Sequence, residues 1–121
     1  MRRSKVLVAV GTRPEAIKMA PVVRALRARP ERFETVLVAT GQHRQMLDQA
    51  LAVFELSPDV DLDLMAPGQD IYDVTARVLL AMRPVLQAQR PDVVLVQGDT
   101  TTTFAVALAS FYAKVKVGHV E

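Results

Sequence analysis

The sequence predicts an α/β protein in which helices cover the faces of a parallel β-sheet. Short runs rich in β-branched residues alternate along the chain with longer segments of helical periodicity, which is typical of parallel strands connected by helices. Hydrophobic residues make up 50% of the 121 positions and charged residues 23%, the balance of an ordinary globular protein. A chain of this length forms one domain at most.

Each predicted strand is a short apolar run that stops at turn or polar residues. The strands are expected at residues 5–10, 35–39, 60–64, 93–96 and 116–119. Apolar residues at helical spacing predict helices at residues 15–28, 46–54, 71–89 and 104–114. Pro21 is expected to start or bend the first helix and Pro84 to kink the third. Met46, Met65 and Met82 fall on apolar faces and are predicted to fill the core.

Composition excludes several kinds of site. No cysteine is present, so disulfides, thiolate zinc sites and cysteine nucleophiles are excluded, and a reducing cytoplasm is expected. The net charge of +2 is spread along the chain without interleaved aromatic residues, which argues against a nucleic-acid partner. No apolar stretch approaches the roughly 20 residues needed to span a bilayer. No residues at metal-ligand spacing accompany His43, so no metal site is predicted.

Polar clusters follow four of the predicted strands, at the end where each strand stops. They occupy residues 11–15, 40–44, 98–103 and 118–121. In open α/β sheets, ligands bind beyond the carboxyl ends of the strands, at the point where the strand order reverses. If the first and fourth strands are neighbours, the first and third clusters face each other across that crevice. The sequence therefore predicts a ligand site at this edge of the sheet.

The first cluster combines a glycine at the strand exit with a helix start. Backbone N–H groups and Arg13 could therefore meet an anion such as a phosphate together. Neither the Gly-x-x-x-x-Gly-Lys-Ser/Thr spacing of a triphosphate loop nor the Gly-x-Gly-x-x-Gly spacing of a dinucleotide site is present. A turn glycine beside a surface arginine explains the same pattern, and the spacing alone leaves both interpretations open.

In the third cluster, Asp99 and the threonines that follow it are good helix caps. Four β-branched residues in a row are poor helix formers, however, which favours a ligand role for their hydroxyl groups as well. At the exit of the last strand, Glu121 follows His119 at a point where a carboxylate can transfer a proton on a bound substrate. A purely structural role for Glu121 as an exposed residue is equally open.

The segment GTRPEAIKMAP at residues 11–21 resembles the opening of the non-hydrolysing UDP-N-acetylglucosamine 2-epimerases. Later segments resemble the same family in the same order: QHRQMLDQ at 42–49, PDVVLV leading to GDTTTT at 91–103, and VGHVE at 117–121. The resemblance implies that residues 1–121 form an incomplete amino-terminal Rossmann-like domain of a two-domain GT-B fold. In that family a carboxyl-terminal domain, which lies outside these residues, holds most of the uridine diphosphate (UDP).

The resemblance further implies an isomerase that interconverts UDP-GlcNAc and UDP-ManNAc. UDP is eliminated to give enzyme-bound 2-acetamidoglucal and is then added back with the opposite configuration at C2, and no nicotinamide or other cofactor is required. Asp99 and Glu121 match the acid and base positions, in either order. Arg13 matches a diphosphate contact, and Lys18 a supporting residue of the same loop. The substrate-binding residues implied in this way are Arg13, Lys18, Asp99, Thr100 and Thr101.

Regulation and assembly are also implied by the resemblance. Gln42, His43 and Gln45 match a region through which some bacterial members bind a second UDP-GlcNAc as an activator. The complete enzyme is expected to be a homodimer, whereas the isolated chain is expected to be inactive and to associate through uncovered apolar surfaces. Two alternatives remain: a nucleotide-sugar-binding half-domain without catalysis, and a GT-B glycosyltransferase, which shares the architecture but not the chemistry.

Overall fold

A computed structural model describes residues 2–41, 44–64 and 66–121 of the chain. Its elements in chain order are β1 (Ser4–Val10), α1 (Arg13–Arg27), β2 (Phe33–Ala39), α2 (Arg44–Val53), β3 (Val60–Asp61), α3 (Ile71–Gln89), β4 (Val93–Gln97), α4 (Thr101–Tyr112) and β5 (Lys116–Val120). The strands form one parallel sheet in the order β3-β2-β1-β4-β5. The predicted α/β class and parallel sheet are therefore confirmed.

The core lies in two layers, one on each face of the sheet. On one face, Val6, Val8 and Val10 of β1 pack with buried residues of α1 and α2, whereas Leu7 and Ala9 pack on the other face with α3 and α4. Successive side chains of a strand point to opposite faces, so a central strand of a covered sheet is apolar on both. None of the helices in the described ranges is both long and apolar enough to cross a membrane.

The start of α4 was predicted wrongly, and both prolines lie inside their helices. Helix α4 begins at Thr101 rather than at Phe104, because Thr100 caps it and the next threonines form its first turn. Pro21 does not start α1 but lies inside it, four residues after the exposed Ile17 whose carbonyl loses its helical partner to the proline ring. Pro84 also lies inside its helix, α3.

The methionines behave differently from one another. Met82 is completely buried, as predicted, whereas Met46 is 50% exposed on α2 and fills no core space. Its neighbour Leu47 takes the buried position instead. Helical periodicity therefore located α2, but Met46 does not belong to its buried face. Met65 lies outside the described residues.

Aspartates that precede β3 and β4 bond to the backbone of the neighbouring strand. The Asp92 carboxylate accepts from Lys5 N at 2.7 Å, while Asp92 N donates to the Lys5 carbonyl at 2.8 Å. Asp59 makes the same pair of bonds with Leu37, at 2.7 and 2.8 Å. Both aspartates stand in a Pro-Asp-Val sequence. This repeated arrangement fixes the register of β4 on β1 and of β3 on β2, one residue before the first paired residues of each pair of strands.

The Asp92 bonds predict how stability depends on pH. The backbone bond from Lys5, assisted by the Arg2 guanidinium, lowers the pKa of Asp92 below its ordinary value of 3.8. A carboxyl with a lowered folded pKa contributes its full stability above its unfolded pKa and loses it as the pH falls through the folded pKa. We expect Asp92→Asn to lose less stability than the unchanged chain between pH 6 and pH 2.5, measured by urea unfolding at both values. Equal losses for the two proteins would contradict this.

Candidate functional site

The strand order reverses between β1 and β4. From β1 the chain passes through α1 to β2 on one side, and from β4 it passes through α4 to β5 on the other. The two strands are paired, Val6 opposite Val93, as the sequence-based expectation required. The first and third polar clusters therefore follow neighbouring strands, at the place where ligands bind in open α/β sheets.

Both helices that leave this edge are capped by a threonine. Thr12 is the N-cap of α1, and its hydroxyl oxygen accepts from Glu15 N at 3.4 Å. Thr100 is the N-cap of α4 and accepts from Thr103 N at 3.2 Å. The predicted capping role of the threonine cluster is thus confirmed for Thr100, although Asp99 itself lies one residue before the cap.

Glu15 connects the two helix starts. Its Oε1 accepts from Gly11 N at 2.9 Å, and its Oε2 accepts from the Thr12 hydroxyl at 2.8 Å and from the Thr100 hydroxyl at 2.9 Å. We refer to Glu15 and these three donors, Gly11, Thr12 and Thr100, as the Glu15 clamp. The clamp leaves the side chain only 3% exposed, beneath the surface of the predicted crevice.

The clamp corrects one expectation about the first cluster. Backbone N–H groups of this cluster were expected to help bind an anion, but the Gly11 N–H donates to Glu15. Pro14 has no N–H, and the N–H of Glu15 is directed to the Thr12 cap. The start of α1 is therefore largely occupied by its own side chains, and its positive character toward a ligand rests mainly on the guanidinium of Arg13.

The exits of β4 and β5 are joined by two further bonds. Gly98 N donates to the Val120 carbonyl at 3.0 Å, and His119 Nε2 lies 2.6 Å from the Gly98 carbonyl. A carbonyl oxygen only accepts, so His119 Nε2 carries the hydrogen of this bond. Gly98 adopts a φ of +79°, a conformation that favours glycine. These bonds bring Asp99 and Glu121 to the same end of adjacent strands.

The predicted site residues differ in how they are placed. Arg13, Lys18, Asp99 and Glu121 are exposed, and within the described ranges none of these four forms an ion pair. Arg13 is the first residue of α1, Lys18 lies in the second turn of that helix, and Asp99 immediately precedes the α4 cap. The charges at this edge are therefore not neutralised by one another.

The remaining predicted site residues lie beside this edge of the sheet or outside the described residues. Thr101 is partly exposed in the first turn of α4, whereas the Thr100 hydroxyl is engaged with Glu15. Gln45 is exposed in the first turn of α2, and Gln42 and His43 lie outside the described residues. Across the part of the chain that the structure describes, no group of three His, Cys, Asp or Glu side chains is arranged to hold a metal ion.

Sequence reasoning missed Glu15 and Thr40. The Thr12-x-x-Glu15 spacing is that of a capping box and could have indicated a local role for the glutamate. The bond to Thr100 joins residues 85 positions apart and has no local signature. Thr40 is buried against Gly11, where an added Cβ would lie 2.4 Å from its Oγ1.

The reversal of strand order, the two capped helix starts and the polar residues at the strand exits define a doubly wound, Rossmann-like α/β domain. Comparison with known proteins narrows this class. The family model described as UDP-N-acetylglucosamine 2-epimerase matches residues 24–121. The chain belongs to the UDP-N-acetylglucosamine 2-epimerase family.

Relatives of known name and structure agree with this assignment. The chain is 56% identical to the UDP-N-acetylglucosamine 2-epimerase of Yersinia pestis, over 97% of this chain and 31% of the relative. A crystal structure of UDP-GlcNAc 2-epimerase from Neisseria meningitidis bound to UDP-GlcNAc is 50% identical with a TM-score of 0.92, over 97% of this chain and 31% of that one. The enzyme from Methanocaldococcus jannaschii, in complex with UDP-GlcNAc and UDP, is 33% identical with a TM-score of 0.89, over 97% and 32%. The chain thus spans about a third of the length of the relatives it matches.

Proposed function

We propose that this chain is the amino-terminal part of an enzyme that interconverts UDP-GlcNAc and UDP-ManNAc by inverting C2 of the sugar. The observation that carries the proposal is the pair of exposed carboxylates, Asp99 and Glu121, at adjacent strand exits beside the α1 start that bears Arg13. Membership of the epimerase family supports it, as does the UDP-GlcNAc bound to the Neisseria relative.

The proposed reaction eliminates UDP and adds it back. A base removes the proton from C2 while the bond from C1 to the diphosphate oxygen breaks, which gives 2-acetamidoglucal and UDP. UDP then returns to C1 while an acid delivers a proton to the other face of C2. Asp99 and Glu121 are proposed for these two proton transfers, and their order is left to experiment.

The positive groups are proposed to act on the leaving diphosphate. A guanidinium at Arg13 stabilises charge that develops on the diphosphate as the C1–O bond breaks. Lys18, one turn further along the exposed side of α1, supports the same charge. Thr101 and Thr100 are proposed to contact the substrate at the start of α4, Thr100 through the oxygen rather than the hydrogen of its hydroxyl, which is donated to Glu15.

A second domain is proposed to complete the site. The relatives are about three times as long as the chain, and the proposed acid, base and cation are all exposed. Elimination and re-addition need water to be excluded from the intermediate. A GT-B arrangement, in which a carboxyl-terminal domain closes over this edge and binds most of the UDP, supplies that exclusion. Residues 1–121 alone are then a nucleotide-sugar-binding half without catalysis.

The function is tested with a chimera in which residues 1–121 replace the matching segment of the Yersinia pestis relative and are followed by that relative's own remainder. UDP-GlcNAc is incubated in deuterated water and followed by NMR. We expect the chimera to form the manno epimer with deuterium at C2, and the 121-residue chain alone only to shift substrate resonances. Transfer of the sugar to an acceptor without inversion at C2 would instead favour a GT-B glycosyltransferase.

Assembly and regulation are proposed at separate surfaces. Exposed hydrophobic side chains of α3 and α4, among them Leu80 and Tyr112, border a cavity of about 760 Å³ and support a homodimer through this face. Light scattering of the chimera tests this, and a dimer that survives Leu80→Glu would exclude the face.

An activating second UDP-GlcNAc is proposed near Gln45. Hyperbolic kinetics that His43→Ala leaves unchanged would exclude it.

A further inference from the structure

Glu15 is the only ionisable side chain that is buried in the described part of the chain. Removing a carboxylate from water is costly unless donors replace the lost hydration. The Glu15 clamp supplies three such donors, shared between both carboxylate oxygens. A cap for α1 alone would need only Thr12 and the backbone nearby. The additional bond to Thr100 is therefore not needed to cap α1.

That bond crosses the sheet. Helix α1 packs on one face and α4 on the other, as their separate core clusters show. Their starts meet only at the carboxyl edge, between β1 and β4, and there Glu15 Oε2 accepts from the Thr12 and Thr100 caps at once. One oxygen atom thus sets the spacing between the first turns of two helices on opposite faces.

The two helix starts carry the proposed reacting groups. Arg13 precedes Glu15 by two residues on α1, and Asp99 immediately precedes Thr100 at α4. Proton abstraction at C2 and departure of the diphosphate from C1 involve neighbouring carbons. The carboxylate and the guanidinium must therefore be held at a fixed separation while both bonds change.

We propose that Glu15 is a positioning residue that fixes Asp99 relative to Arg13 by tying the α1 and α4 caps together. The inference rests on the proposed function. Its chemistry requires an acceptor with two oxygens, because an N–H and two hydroxyls all donate to it. Glutamine has the same shape but replaces one of these oxygens with a donor, so at least one of the three donors loses its acceptor.

The first test is Glu15→Gln in the chimera, alone and combined with Asp99→Asn. With Asp99 intact, we expect kcat to fall about 100-fold while KM changes less than about threefold, the size of effect that misplacement by about 1 Å produces. In the Asp99→Asn background, Glu15→Gln should lower kcat less than about threefold, because Glu15 acts through Asp99. A loss caused by general destabilisation would be equal in both backgrounds.

Thr12 provides a second route to the same contact if Glu15→Gln does not fold. Thr12→Val keeps the shape but removes a donor of the clamp, whereas Thr12→Ser keeps the hydroxyl. We expect kcat to fall at least about tenfold in the valine variant and to stay within about threefold in the serine variant. Ser110→Ala is the control for a lost buried hydroxyl in α4. It should lower the melting temperature without lowering kcat.

The outcomes separate the two proposals. An unmutated chimera that does not epimerise UDP-GlcNAc overturns the proposed function and this inference with it. An active chimera in which Glu15→Gln keeps full kcat, or loses it equally with and without Asp99, overturns the positioning role alone. Equal kcat values for Thr12→Val and Thr12→Ser would also overturn it.

Discussion

Asp99→Asn in the chimera is expected to lower kcat about 1000-fold while KM stays within about threefold, because general acid–base groups contribute roughly 10²–10⁴ to rate and act mainly in the transition state. Asparagine keeps the size and exposure of the side chain but cannot take or give the proton at C2. Glu121→Gln is expected to have a loss of the same order. Glu31→Gln, at an exposed glutamate before β2, is the matched control and should leave kcat unchanged.

Deuterium exchange distinguishes the two carboxylates. In deuterated water, a variant that lacks the base for UDP-GlcNAc incorporates no deuterium into that epimer. A variant that lacks only the acid for the opposite face still exchanges C2 of UDP-GlcNAc through reversal of the first step, but forms no UDP-ManNAc. If both variants exchange UDP-GlcNAc at the unmutated rate, neither residue is its base, and the proposed site is wrong.

Gly11→Ala is expected to cost about 1–3 kcal/mol of stability, the range for adding a methyl group to a closely packed site. The new Cβ would lie 2.4 Å from Thr40 Oγ1 and 3.0 Å from Thr102 Cγ2. Both threonines are buried, at 1% and 2% exposure, so neither can move aside without disturbing the core. Urea unfolding of the 121-residue chain measures the loss.

Two comparisons make this prediction specific. Gly118→Ala meets only the terminal methyl group of Leu95, at 2.6 Å, and this flexible, partly buried side chain can adjust, so its loss should be smaller. Thr40→Ala removes the atom nearest the new methyl group. In combination with Gly11→Ala it should therefore recover part of the lost stability. A double variant that is as unstable as the sum of the single variants would show that Thr40 is not the obstacle.

The sequence predicted which residues lie at the carboxyl edge of the sheet, because parallel strands bring their carboxyl ends together in any doubly wound order. The strand exits at Gly11, Gly98 and Glu121 follow from that rule and from apolar runs that stop at polar residues. The start of α4 was predicted too late, since low helix propensity of threonine was weighed more heavily than its capping ability. At Thr101 the cap and the surrounding core outweigh propensity.

The burial of Glu15 could not be predicted from the sequence, because it depends on a contact between distant parts of the chain. Local spacing relates it to Thr12, but its burial depends on Thr100, whose approach is decided by the pairing of β1 with β4. A charged residue inside a polar motif is expected at the surface, and only tertiary contacts reveal that it is enclosed. Met46 shows the opposite error, because an apolar residue that helical spacing predicted to be buried on α2 is exposed to solvent.

The position of β1 in the sheet also matters while the chain is being synthesised. β1 emerges before β4, because Asp92, to which Lys5 bonds, lies 87 positions after it. At a synthesis rate of about 5–20 residues per second, the edge of β1 that pairs with β4 stays unpaired for roughly 4–17 s. During that interval its unpaired N–H and C=O groups can template pairing with another nascent chain. The order of strands that creates the crevice thus makes the newborn protein depend on rapid completion or on protection at the ribosome.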